Sequence, residues 1–273
     1  MSKFSDAEEM YDIPENAVLI VSERGDSFAD ALMRPITASG RVPVRLGATA
    51  AARSFTIIVQ DGDAIVTPQI PMVIRMPRLS GMQSADARFL KGEALAALWA
   101  IAALTTAAVL GRPGPMGFGG GCSLSASVNE LRGGLRTNRM EVFMQGLTWP
   151  QSDTGWYFKT PDSVEPLNHE QRAAYPGPQR GRYIRPGEQY ESVLVLGPDA
   201  WCRGGARIVG HDLAQDSIKL ANQLGLDMAL ILWALSEDLR DPCLARITPW
   251  PHREDLDFAW DPFVAAAISH LTR

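Results

Sequence analysis

The chain has 273 residues, enough for one large domain or two small ones, and its 46% hydrophobic content supports a packed core and excludes wholesale disorder. A formal net charge of -5 gives no global attraction to phosphate backbones or anionic lipid. Nucleic acid and membrane surfaces are therefore excluded as default partners, and any anion binding has to come from a local cluster.

In chain order, the apolar run Ala17–Val21 reads as a strand buried on both faces. Asp26 or Ser27 can cap the helix that follows, where Phe28, Ala31, Leu32 and Ile36 fall at helical spacing. Val42–Leu46 gives a second strand, and strand, helix and strand together predict a parallel pair. Residues 55–59 and 64–67, joined by Asp61-Gly62-Asp63, predict a hairpin, and 72–75 a further strand closed by Pro77. A long helix is expected over 85–110, ended by Gly111 and Pro113, and a Pro/Gly loop over 111–121. Ser123 can cap a helix over 124–135.

Residues 146–187, punctuated by six prolines, read as ordered loops or a lid. Strands are expected at 190–196, 200–208, 228–235 and 243–247, with an amphipathic helix over 212–224 and a closing helix over 262–271. The apolar run 94–110 is shorter than the roughly 20 residues of a bilayer span, and 1–15 has no signal-peptide pattern, so a cytoplasmic protein is expected. Cys122, Cys202 and Cys243 fit reduced thiols, and His169, His211, His252 and His270 show no metal-ligand spacing.

Three stretches resemble the ATP-grasp superfamily, whose members usually join a carboxylate to an amine or thiol through an acyl phosphate. Arg185-Pro186-Gly187-Glu188 before a strand is similar to a proline-glycine-glutamate turn feeding a hairpin. Residues 220–235 (LANQLGLDMALILWAL) are similar to a helix and strand joined at leucine-glycine-leucine, and 244–251 (LARITPWP) stands where the family has leucine, glutamate, valine, asparagine, proline. Arg75-Met76-Pro77 and Gly111-Arg112-Pro113 resemble the borders of a pre-grasp domain. The resemblance implies an α/β fold with a flexible extension over 1–16, a pre-grasp-like α/β domain over 17–121 and a reduced grasp-like α+β domain over 122–273.

The resemblance also places Arg246 at a metal-binding glutamate and Thr248 at an asparagine, with the other acid expected within the apolar stretch 230–233. Magnesium needs carboxylate or carbonyl oxygens, so no metal is expected, and ATP with magnesium only if the ligands are relocated to Glu237, Asp238, Glu188 or Asp212. Fewer than fifty residues stand between Leu135 and Tyr183, where the nucleotide grip belongs, and Trp156–Lys159 is the lysine-bearing strand candidate there.

Arg172, Arg180, Arg182 and Arg185 read either as an anion-binding edge or as a solvated loop paired with Glu170, Glu188 and Glu191. Arg75, Arg112 and Arg246 are expected at strand ends bordering the crevice, where they would converge on a polyanion. The leading expectation is a non-catalytic or altered subunit or binding protein for an anionic small molecule or peptide in a biosynthetic pathway, self- or hetero-associated. An active carboxylate-amine ligase with relocated ligands, and an enzyme of another class using the three arginines as clamps, are the alternatives.

Overall fold

The computed structural model describes residues 11–75, 84–114, 188–204, 212–236 and 242–272, and the backbone alone of the short strands at 136–137, 140–143, 156–159 and 179–183. The expected helix at 124–135 and the glycine-rich stretch beyond Gly114 lie outside the described residues.

β1 (Ala17–Val21) has five buried residues in a row because it is central in an all-parallel sheet. Its neighbours are β2 (Val42–Leu46) and β5 (Met72–Ile74), and β6 (Val109–Leu110) pairs with β5 at the edge. Leu19 and Val21 pack with Leu98 and Ile101 of α3 (Ala85–Leu104), whereas Val18 and Ile20 pack with Phe28 and Leu32 of α1 (Ser27–Ala38). Fully burying each of these aliphatic side chains contributes roughly 1.5–3 kcal/mol.

Asp26 caps α1 by accepting from the Ala29 amide at 3.1 Å. A short helix absent from the sequence reading, α2 (Ala48–Arg53), packs against α3. The hairpin stands as expected, with β3 (Thr56–Gln60) and β4 (Asp63–Thr67) joined through Asp61 and Gly62, both at positive φ.

The long helix ends at Leu104, six residues earlier than the periodicity predicts, and Val109–Leu110 is a strand. Two adjacent β-branched residues, Thr105 and Thr106, favour the turn. The Gln69 carboxamide oxygen then fixes it, accepting from Thr105 Oγ1 at 2.7 Å and from the Thr106 and Ala107 amides at 3.1 and 3.2 Å.

The second half is built on a five-stranded sheet: β12 (Asp199–Cys202), β11 (Gln189–Leu196), β13 (Met228–Leu235), β14 (Cys243–Thr248) and β7 (Arg136–Thr137). Ala229, Ile231, Trp233 and Leu235 face α4 (Leu213–Gln223), where the Trp233 indole donates to the buried Ser217 hydroxyl at 2.8 Å. Leu194, Leu196 and Met228 face the other way. They join the core of α1, β1 and the closing helix α5 (Trp260–Leu271), so one apolar cluster spans both sheets. No helix among the described residues is long and apolar enough to cross a membrane.

Residues 146–187, expected as loops or a lid around the strand candidate Trp156–Lys159, contribute two strands to a third sheet. β8 (Met140–Phe143), β10 (Gln179–Tyr183) and β9 (Trp156–Lys159) form three antiparallel strands with β10 in the middle. Arg180 and Arg182 thus lie in a strand, correcting the loop expectation: backbone pairing to two neighbours overrides a sequence, QRGRY, that has no apolar alternation.

Candidate functional site

The carboxyl ends of β1, β2 and β5 are where an open α/β sheet ordinarily binds ligands. Here its charges are spent on one another. Arg75, at the end of β5, donates from Nε to Asp26 Oδ2 at 2.9 Å and from Nη2 to the Pro251 carbonyl at 2.8 Å, with its guanidinium 4.2 Å from the Phe28 ring centre. Burial pulls the Arg75 guanidinium below its usual range while the Asp26 carboxylate opposes that pull. Lys91 pairs with Glu23 at 3.0 Å, and Arg45 pairs with Asp30 and donates to Ser22 Oγ at 2.7 Å. Arg75 Nη1 and Trp250 Nε1 are buried without a hydrogen-bond partner among the described residues.

The facing side of the second sheet carries the positions assigned to metal ligands by resemblance. The β13–β14 register sets Leu232 opposite Arg246 and Leu230 opposite Thr248, and β11 brings Ser192 opposite Leu232. Paired residues share a face, so within the apolar stretch 230–233 it is Leu232 that lies directly across from Arg246.

Thr248 is buried and its hydroxyl accepts from the Trp250 amide at 3.2 Å. Arg246 is half-buried and has no hydrogen-bond or ion-pair partner among the described residues. A guanidinium, an aliphatic chain and a hydroxyl do not fit a divalent cation, which takes several oxygen ligands. Among the described residues, no group of three or more His, Cys, Asp or Glu is placed to hold a metal.

The acids nearest in sequence are engaged elsewhere. Glu191 pairs in register with Trp233 on the opposite, α4-facing side, and accepts from the Gly204 amide at 2.8 Å. Glu188 accepts from the Tyr190 hydroxyl at 2.6 Å, and Asp212 caps α4 by accepting from the Gln215 amide at 3.1 Å. Glu237 and Asp238 lie outside the described residues. Neither Cys202 nor Cys243 is in a disulfide, and burial, with Glu191 and Asp212 nearby, pushes the Cys202 thiol up and away from reactivity.

Arg112 does not join Arg75. Its guanidinium donates to the carbonyls of Ala102, Thr105 and Ala107 at 2.9, 3.0 and 2.8 Å, closing the carboxyl end of α3. Its backbone amide and that of Gly111 donate to Asp227, whose carboxyl burial holds above its ordinary range. Arg112, Asp227 and His270 line a cavity of about 530 Å³. Of the seven residues expected to bind ligand, Arg246 and Thr248 share one sheet face, Arg180 and Arg182 share β10, and Arg75 and Arg112 have separate partners. Arg185 lies outside the described residues. Sequence reasoning saw Asp26 only as a helix cap and missed Asp227; each is partnered by groups more than forty residues distant.

No protein-family model and no curated protein matches the sequence. Solved structures do. The macrocyclase MdnC bound with precursor peptide MdnA from Microcystis aeruginosa MRC is 15% identical with a TM-score of 0.62, the match covering 94% of this chain and 99% of that one. The ATP-grasp ligase PsnB complexed with minimal precursor is 12% identical, TM-score 0.63, with the same coverage of 94% and 99%. A Chryseobacterium gregarium RiPP-associated ATP-grasp ligase in complex with ADP and a leader and core peptide is 14% identical, TM-score 0.55, covering 94% and 96%. The likeness runs through both sheets and nearly the full length of the chain: it has an ATP-grasp-like α/β fold.

Proposed function

We propose that this chain is a peptide-tailoring member of the ATP-grasp fold in which magnesium-dependent ligation has been lost, and which binds a peptide or anionic small molecule in a biosynthetic pathway. The observation that carries this reading is the trio Leu232, Arg246 and Thr248 on one sheet face. A guanidinium ~4 Å from a divalent ion is repelled by several kcal/mol even at an effective dielectric of ~20. The same guanidinium, half-buried and without an acidic neighbour among the described residues, suits a carboxylate of a bound chain. Neighbouring structures in complex with precursor peptides support a peptide as the partner class.

Titration calorimetry tests the reading in two arms. Against ATP with magnesium chloride, no micromolar binding is expected; against a set of acidic peptides, binding is expected that weakens at least about 10-fold in Arg246→Ala and falls with salt. Micromolar, magnesium-dependent ATP binding followed by ADP release in the presence of a peptide would remove its basis.

A second reading is favoured by the three-stranded sheet. β9 and β10 set Lys159 opposite Arg180, leaving a basic register in the segment where a nucleotide grip belongs. Nucleotide binding without metal would follow, measured as ATP affinity unchanged by a chelator and lowered in a Lys159→Ala variant.

A further inference from the structure

The cavity beside β6 is drawn on by none of the chemistry above. Its volume of about 530 Å³ is common for a small-molecule site, and its lining comes from both halves of the chain: residues 106–109 with Arg112 and Pro113, and Asp227 with His270 of α5. Leu232 lies five residues beyond Asp227 along β13, about 16 Å at the rise of a strand, so the cavity and the Arg246 face are separate. Asp227 is the single carboxylate in the lining among the described residues. Its oxygens accept from the Gly111 amide at 3.1 and 3.2 Å and from the Arg112 amide at 3.2 Å, and no side-chain cation pairs with it among the described residues. A carboxylate has about four lone-pair sites, so two amides leave it capacity to accept more. The guanidinium in the same lining is committed elsewhere, donating to the carbonyls of Ala102, Thr105 and Ala107. Burial holds the Asp227 carboxyl above its ordinary range, and the two amides and His270 oppose that only in part. His270 Nε2 is itself buried without a hydrogen-bond partner among the described residues.

We infer that this cavity is a binding site for a small organic cation, with an ammonium group seated on Asp227 and a short alkyl part against Ala107, Ala108 and Val109. Such a ligand supplies the countercharge that the lining does not. A buried carboxylate is costly without one, and an ammonium offsets that cost while both backbone amides stay in place. An ammonium also carries three donors, which suits a lining that offers a carboxylate and an unpartnered imidazole nitrogen. An anion is disfavoured, because the carboxylate repels it and the Arg112 guanidinium is held by main-chain carbonyls. A hard metal ion is disfavoured as well, since it takes six or more oxygen ligands and this lining has one carboxylate. Because Gly111 and Arg112 follow β6 while Asp227 precedes β13, the bound cation reinforces a tie between the two sheets. The inference uses no residue of the Arg246 face, so its failure and that of the peptide reading are distinguishable.

Titration of the isotope-labelled full chain with n-butylammonium chloride, against sodium chloride at matched ionic strength, is the test. At about pH 8 the amine is still cationic. Saturable binding with a Kd of about 10 mM or tighter is expected, with the Gly111 and Arg112 amide signals among those that move and a melting midpoint that rises with the amine. Affinity is expected to fall at least about 10-fold for n-butanol, which has the alkyl part without the charge, and in Asp227→Asn. It is expected to hold in Asp199→Asn, an exposed acid outside the cavity. The amide shifts of the parent chain keep the test decisive if Asp227→Asn folds poorly. No saturation up to about 100 mM overturns the inference, as do shifts that leave both amides unmoved and affinities equal for the alcohol or for the Asp227 variant. Tighter binding of Nα-acetyl-lysine amide than of butylammonium also overturns it, because the occupant is then a peptide side chain and not a free cation.

Discussion

The two sheets treat charge in opposite ways. Around the parallel sheet, Arg75, Lys91 and Arg45 each have a carboxylate partner, and Arg75 ties the start of α1 to the carbonyl of Pro251, 176 residues from Arg75. On the antiparallel sheet, Arg246 stands on a face of Leu230, Leu232, Ser192 and Thr248 with no acid among them. A cation locked in the interior stabilises the fold and is a poor ligand, because freeing it exposes a buried carboxylate. A half-buried cation without an ionic neighbour contributes little to folding and retains its capacity for an anion. The difference assigns arginines of one sequence type to two roles, and substitutions can break that assignment or sharpen it.

The largest effect is expected at Arg75. Replacing it with Ala removes the ion pair to Asp26 and the link to Pro251 and leaves a partly buried carboxylate, a loss of about 3–5 kcal/mol in chemical denaturation. A change below about 1 kcal/mol would show that the pair is not the latch between the sheets. Next comes Gly111. Its φ is +80° and an added Cβ would sit 2.6 Å from the Ile74 carbonyl oxygen, so Gly111→Ala is expected to cost about 2 kcal/mol or more by the same measurement.

These positions also mark what the sequence could and could not disclose. β1 was legible because five apolar residues in a row need burial on both faces, and the hairpin because Asp61-Gly62 is itself a turn signal. α2 was not, since six residues with four alanines carry no apolar period. The end of α3 depends on Gln69, more than thirty residues upstream, reaching Thr105 through space. The candidate site divides the same way. That Arg246 and Thr248 lie on one strand was legible from the run that holds them, whereas the fate of Arg75 rests on Asp26 and on a main-chain carbonyl, which has no side-chain signature. Arg180 and Arg182 read as loop because a short polar strand owes its form to two neighbours and not to its own composition.

A smaller, pH-dependent effect is expected at Asp227, which holds the Gly111 and Arg112 amides. Its carboxyl is raised in the folded state, so the native chain binds this proton more readily than the unfolded chain does. The stabilising contribution is therefore fully present below the ordinary carboxyl value of 3.8 and is lost as pH rises through the raised one. Asp227→Asn keeps an oxygen to accept from the Gly111 and Arg112 amides and removes the titration. Its stability at neutral pH is expected within about 1 kcal/mol of the parent or above it, and the difference from the parent should shift toward the parent as pH falls. Denaturation midpoints of both proteins between pH 4 and 8 check this. Parallel curves would mean that the Asp227 carboxyl does not titrate differently in the two states.

The smallest effect on folding is expected at Arg246, and it is the one that separates the two sides most sharply. Arg246→Leu removes a half-buried cation that has no ionic partner among the described residues and extends the apolar face begun by Leu230 and Leu232. Stability should change by less than about 0.5 kcal/mol, or rise. If the residue serves a ligand, the same variant loses affinity for acidic peptides while its melting temperature stays put; if Arg246 is instead pinned by the fold as Arg75 is, the melting temperature falls. The two measurements together on one variant tell a cation kept for a partner from a cation consumed by the structure, which neither measurement does alone.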